Sequence, residues 1–284
     1  MNAKDVTVCI RRQMFHYIKD AGLKSLVIGV SGGIDSAVVC ALAKPVCDDL
    51  GIKLIGRSIP ISTNKSDEID RARMIGEAYC HDFEEVELDE QFGHIRTKLM
   101  GTIQPNTLEE KIRAGNIKAR LRMILLYDIA QANGGMVLST DNYTELMVGF
   151  WTLHGDVGDY GPIQSLWKTE VYELAEYLAS ENYDSKTYNA MVACKVANPT
   201  DGLGVTNSDL DQLGAKDYTE VDNILQEYFD WIHMKGLVFN DMILRVEGHI
   251  LRLEKHPVIQ RHLRTQFKRD NPFNIARKDI IGLL

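Results

Sequence analysis

Apolar and polar positions along this chain switch repeatedly between helical and strand spacing. Val6, Ile10, Met14, Tyr17 and Ile18 recur at helical intervals and Gly22 follows as a stop signal, which predicts a helix over residues 5 to 20. Leu26 to Val30 is then a short unbroken apolar run, the pattern of a buried strand. Ser31-Gly32-Gly33 interrupts it. An apolar helical pattern restarts with Asp35 and Ser36 in its first turn and fades between Pro45 and Gly51. A second strand is predicted over Lys53 to Ile59, with Pro60 at its end. Ser66 is placed to cap a helix running to about Cys80, with Asp67, Glu68 and Asp70 at the positive end of its dipole. Phe83 to Leu88 reads as a third strand, Asp89 starts another helix, Gly115 to Asn133 is helical, and Met136 to Leu138 is a fourth strand.

This alternation predicts an α/β fold, a doubly wound and mostly parallel sheet with helices on both faces, where ligands sit beyond the carboxyl ends of the strands. Ser31 to Ser36, Arg57 and Thr140-Asp141-Asn142 all fall at such ends. Farther on, Glu220 to His233 and Val238 to Lys255 read as helices, with Val221, Ile224, Leu225, Tyr228 and Ile232 as a core stripe. The expected organisation is one domain over residues 1 to 284 with a C-terminal helical extension from about residue 219. Asn198 to Gly214 is rich in Gly, Asn and Asp, as a loop would be, and the tail from Phe267 to Leu284 has mixed charge. His249, His256 and His262 lack metal-ligand spacing and read as structural or exposed.

Composition narrows the function classes. The 284 residues carry 32 basic and 40 acidic side chains, a net charge of −8, which argues against non-specific nucleic-acid binding. Five cysteines, Cys9, Cys40, Cys47, Cys80 and Cys194, are widely spaced without a C-x-x-C, as in a reducing compartment. No apolar run of about 18 residues exists to span a bilayer, and the first residues lack a signal-peptide core. A soluble cytoplasmic protein with no membrane partner is expected.

The chemistry centres on SGGIDS, Ser31 to Ser36. Glycines admit a ligand close to the backbone, and unpaired N–H groups at a helix start favour anions. An ordinary strand-to-helix turn also uses Gly and Ser, but SGG-x-D-S directly after a strand favours a phosphate site. Neither G-x-x-x-x-G-K-[ST] nor G-x-G-x-x-G is present, so a kinase-type or dinucleotide loop is unsupported.

SGGIDS resembles the pyrophosphate loop of the ATP pyrophosphatases. Together with GNIKARLRM, STDNYTELMVGFWTLHGD and GPIQSLWKTEV, in that order along the chain, it is similar to NAD synthetase. That resemblance implies an adenine nucleotide alpha hydrolase-like fold and ATP-dependent amidation of deamido-NAD by ammonia, through an adenylate, releasing AMP and pyrophosphate. It implies an ATP site of Gly29, Ser31, Gly32, Gly33, Ser36, Arg57, Thr140, Lys168 and Thr200, with Asp35 and Glu145 holding magnesium. Asp35, Glu145 and Lys168 would then carry the chemistry, while Tyr17, Arg120, Asp159 and Lys268 would contact deamido-NAD. It further implies a homodimer with the Gly115 to Asn133 helix near the interface, and a loop at 198 to 214 that closes over ATP. Too few residues precede the loop for a glutaminase domain, so ammonia is expected free or from a separate glutaminase.

The chain departs from the family pattern on the acceptor side. Leu153 stands where a lysine is common, the 155 to 162 loop is one residue short, and Phe267 replaces a histidine before Lys268-Arg269. Two other readings follow. One is a related enzyme that adenylates a different carboxylate or a tRNA base, although the acidic balance and unpaired cysteines speak against tRNA. The other is a nucleotide-binding paralogue without activity, against which the metal carboxylates and Lys168 argue.

Overall fold

The computed structural model describes residues 1–61, 64–102, 105–181, 185–198, 208–235 and 241–277, without the side chains of 209 and 241–245. In chain order the elements are α1 (Ala3–Ala21), β1 (Ser25–Gly29), α2 (Ile34–Leu50), β2 (Lys53–Ser58), α3 (Ser66–Tyr79), β3 (Asp82–Glu85), α4 (Asp89–Met100), α5 (Leu108–Ala132) and β4 (Gly135–Val137). There follow α6 (Tyr143–Val148), α7 (Lys168–Glu181), α8 (Ser185–Lys195), α9 (Asp209–Leu213), α10 (Tyr218–Lys235), α11 (Asp241–Leu253), α12 (Pro257–Arg264) and α13 (Gln266–Arg269).

Among the described residues the strands form one parallel sheet in the order β3-β2-β1-β4. Leu26 pairs with Leu54 and Val27 with Val137. Side chains of β1 alternate between two buried faces. Leu26 and Ile28 join α1, α2, α3, α7 and α8 in one core, while Val27 packs with Met123, Leu126 and Ala130 of α5 in another. The expected parallel α/β sheet with helices on both faces is present. The chain moves outward from β1 to β3 and then returns to place β4 on the other side of β1, so the end of β1 lies at the switch point where ligands bind. A further core joins α6 to α10, α11 and α12. No helix is long and apolar enough to cross a membrane among the described residues.

Several boundaries differ from the sequence expectation. Helix α2 continues through Pro45 to Leu50. Proline removes the N–H that would bond the Ala41 carbonyl, and Arg11 Nη2 donates to that oxygen instead at 3.2 Å. Lys65, not Ser66, occupies the N-cap of α3, and the Glu68 carboxylate accepts from its N–H at 3.3 Å. Strand β3 stops at Glu85 because it lies at the sheet edge, half-exposed, with no second face to bury. Helix α5 begins seven residues earlier than its apolar pattern, at a Thr107-Glu110 capping box. Part of the 198 to 214 loop is α9, while residues 199–207 lie outside the described residues.

Candidate active site

At the end of β1 the backbone turns through Gly32, whose φ of +78° suits glycine alone. A Cβ there would meet the Glu68 carbonyl at 2.3 Å, so α3 packs directly on the turn. Arg71 Nε fastens it by donating to the Gly32 carbonyl at 3.0 Å. Gly33 N-caps α2 without a side chain, leaving first-turn N–H groups for an anion. Within the loop, Gly33 N–H donates to Ser31 Oγ, and Ser36 Oγ takes the Ser31 N–H while donating to the Gly33 carbonyl. The loop lines a cleft of about 580 Å³.

On the far side of the cleft, β4 leads into Thr140, Asp141 and Asn142. Asn142 caps α6 in a capping box with Glu145, accepting the Glu145 N–H at 3.0 Å. Its amide donates to Asp35 Oδ1 at 2.9 Å, joining the two sides. Lys168, first residue of α7 and 3 % exposed, places Nζ 2.5 Å from Asp35 Oδ2 and 3.0 Å from Glu145 Oε1. Three residues spread over more than a hundred positions thus meet at one point.

Charge in this cluster is set by burial. Desolvation pushes the Glu145 carboxyl up to about 8, opposed by Lys168 and reinforced by the charge of Asp35. Burial by itself would lower Lys168, but Asp35 and Glu145 outweigh it and hold the ammonium well above its usual range. Asp141 is pushed up to about 6 by burial, with Asp35 adding to the shift and a hydrogen bond from Ser139 opposing it. Asp156, which accepts the Thr152 N–H at 2.8 Å, is pushed up to about 7 by burial and then by Asp141. Together with Glu68, five carboxyl groups therefore share the cleft wall with Lys168, Lys268 and several arginines.

Of the residues expected from sequence, Gly29, Ser31, Gly32, Gly33, Asp35, Thr140, Glu145, Lys168 and Lys268 line this one cleft. Arg57 also borders it, but its guanidinium turns along the sheet to Asp82 at 2.7 Å and Glu84 at 3.6 Å. Lys268 Nζ donates to the carbonyls of Gly149 (2.7 Å) and Trp151. The other three expected acceptor contacts lie apart from the cleft lining. Tyr17 packs on Tyr160 with ring centres 4.9 Å apart, Asp159 accepts from the Tyr127 hydroxyl at 2.8 Å, and Arg120 Nη2 donates to the Leu153 carbonyl at 3.0 Å. Thr200 lies outside the described residues. His154 has a φ of 55° and approaches Asn271 Nδ2 at 3.4 Å.

Sequence reading passed over Arg71, Asp156 and Asp222, and placed Asn142 at a strand end without giving it a role. Asn142-x-x-Glu145 carried a local signal, since it has the form of a capping box. Arg71 and Asp222 act on partners distant in sequence, and Asp156 bonds locally to Thr152 but is shifted by its burial and by Asp141.

The family description for NAD synthase matches residues 7–272. An NH(3)-dependent NAD(+) synthetase of Finegoldia magna is 38% identical over 223 residues, 78% of this chain and 82% of that protein. The fold is shared with solved structures. An NMN synthetase from Francisella tularensis superposes with a TM-score of 0.74 at 23% identity over 97% of this chain and 99% of that one. The NH3-dependent NAD synthetase of Campylobacter jejuni gives 0.68 at 22% identity over 97% of this chain and 100% of its own. A pyrophosphate-type loop faced by paired carboxylates and a buried lysine, together with a match over nearly the whole sequence, makes this chain a member of the NAD synthase family of enzymes.

Proposed function

We propose that this enzyme amidates the nicotinate carboxylate of deamido-NAD with ammonia at the expense of ATP. The observation that carries the proposal is the convergence of Asp35, Glu145 and Lys168 on the Ser31 to Ser36 loop within one cleft. A carboxylate is a poor electrophile, so its oxygen first bonds to the α-phosphorus of ATP and pyrophosphate leaves. Ammonia then bonds to the carbonyl carbon, a proton is lost, and AMP departs with the electron pair of the broken C–O bond.

The chain's own groups suit these steps. First-turn N–H groups of α2 and the Ser31 hydroxyl are the donors for the departing pyrophosphate, the buried Ser36 hydroxyl holds the loop through the Gly33 carbonyl, and Lys168 supplies positive charge beside the leaving group. Asp156, titrating near 7, is matched to accept the proton lost by the nitrogen. Asp35 and Glu145 fit a magnesium ion, because both carboxylates already reach one cation, the Lys168 ammonium. When bound, magnesium would neutralise phosphate charge.

A homodimer is part of this proposal. Arg120, Ile124 and Tyr127 fall at helical spacing on α5, and Ile124 and Tyr127 are exposed, as is Tyr17. A second copy on that face would also complete the acceptor site. Sedimentation should give a dimer, and Ile124→Asp should yield monomer; a monomeric parent chain overturns this part.

Activity is tested with ATP, magnesium, ammonium and deamido-NAD, following NAD, AMP and pyrophosphate. Equimolar AMP and NAD are expected. Products appearing only with another acid, nicotinate mononucleotide being the first to compare, overturn the acceptor, and no pyrophosphate with any acid overturns the activity.

A further inference from the structure

Helix α10 reaches the site from behind, and we propose that Asp222, on its buried face, is a positioning residue that fixes Lys168 and Glu145 relative to each other. Asp222 is 1 % exposed. Its Oδ1 accepts the Thr144 hydroxyl at 2.5 Å, and its Oδ2 accepts the Thr169 N–H at 2.9 Å. Thr144 Oγ1 in turn accepts the Lys168 N–H at 2.8 Å. Thr144 precedes Glu145 and Thr169 follows Lys168, so one carboxylate ties together the first turns of α6 and α7. One turn earlier on the same helix, Tyr218 sets its ring 5.2 Å from Lys168 Nζ.

The chemistry of the contacts suits a carboxylate. Thr169 N–H can only donate, and in the observed arrangement the Thr144 hydroxyl accepts from the Lys168 N–H and gives its proton to Asp222. Both partners are donors, and an acceptor-only group satisfies both. An amide in the same volume keeps one of these bonds but turns an N–H toward Thr144, so the hydroxyl must rotate away from the arrangement that orders α6 and α7. A negative charge beside the first turn of α7 also complements that helix's dipole. Asp222 touches neither the phosphate loop nor the cleft lining. Its effect therefore falls on the mutual placement of Lys168 and Glu145, where a shift of about 1 Å can cost about a hundredfold in rate.

This inference rests on Glu145 and Lys168 serving the proposed reaction. The test compares wild type, Asp222→Asn, Thr144→Val and the double variant, measuring pyrophosphate release with whichever acid the wild type turns over. In folded single variants kcat should fall by roughly ten- to a hundredfold while KM for ATP stays within about threefold, since the phosphate loop is untouched. The double variant should lose no more than the worse single one, because both break one chain of bonds. Thr144→Ser should recover most of what Thr144→Val loses. Wild-type kcat in Asp222→Asn, or losses that multiply in the double variant, would overturn the inference. If Asp222→Asn does not fold, the Thr144 pair decides: equal kcat in the Val and Ser variants sinks it. Failure with deamido-NAD but turnover of another acid removes the acceptor reading and leaves this comparison intact.

Discussion

Lys168 Nζ stands 2.5 Å from Asp35 Oδ2, although 133 residues separate the two along the chain. The same ammonium reaches Glu145 at 3.0 Å, so it occupies the space where a shared divalent ion would neutralise both carboxylates. Lysine and metal therefore compete for one pair of anions. Lys168→Met should let Mn2+ bind in the absence of nucleotide at least about tenfold more tightly than wild type, while turnover collapses. Electron paramagnetic resonance of free Mn2+ gives the affinity, and an unchanged value would show that Lys168 does not hold the metal's place.

Asp35→Asn and Glu145→Gln keep shape and remove one anionic oxygen set each. Turnover should drop by about a hundredfold or more in either variant with native circular dichroism. Retained turnover in both would dismiss the metal pair.

Gly32 joins φ +78° to a carbonyl that a Cβ would meet at 2.3 Å. Gly32→Ala has to move backbone and should cost about 2 kcal/mol or more. Arg71→Met leaves the turn intact, frees the Gly32 carbonyl and removes only an exposed i,i+4 pair with Asp67 besides, so it should raise KM for ATP by roughly tenfold with little change in melting temperature. Equal melting losses in the two variants would contradict this division of roles.

Asp156 gives a pH test with a definite sign. Its folded-state pKa, about 7, lies above the unfolded value of about 3.9. The stability linked to its proton is thus full below pH 4 and is lost as pH rises through 7. Asp156→Asn removes that loss. The variant should match wild type near pH 4 and exceed it by up to about 4 kcal/mol above pH 7, read from urea midpoints. A constant difference across that range would place the proton elsewhere.

How much of this was legible in the sequence follows from how local each feature is. The Ser31 to Ser36 loop could be read because strand, glycine turn and helix start are adjacent, and Ser31, Gly32, Gly33 and Asp35 do face the cleft, whereas Ser36 is buried behind it. Arg57 could not: its orientation depends on Glu84, its register partner across β2 and β3. Asp222 sits among the apolar positions of α10, and its partner Thr144 is 78 residues away. An acid inside a core stripe gives no local sign of what it will meet.

Helix α6 carries Glu145, yet its last carbonyls are satisfied from far downstream. Arg261 donates to Val148, His262 and Arg269 to Met147, and Lys268 to Gly149. A ribosome adding about 5–20 residues per second exposes this turn several seconds before residue 269 exists. Nascent chains therefore hold the end of α6 with these carbonyls unanswered by their native partners until synthesis has passed that point. A fusion or cleavage site placed near residue 269 would be felt at a carboxylate more than a hundred positions upstream.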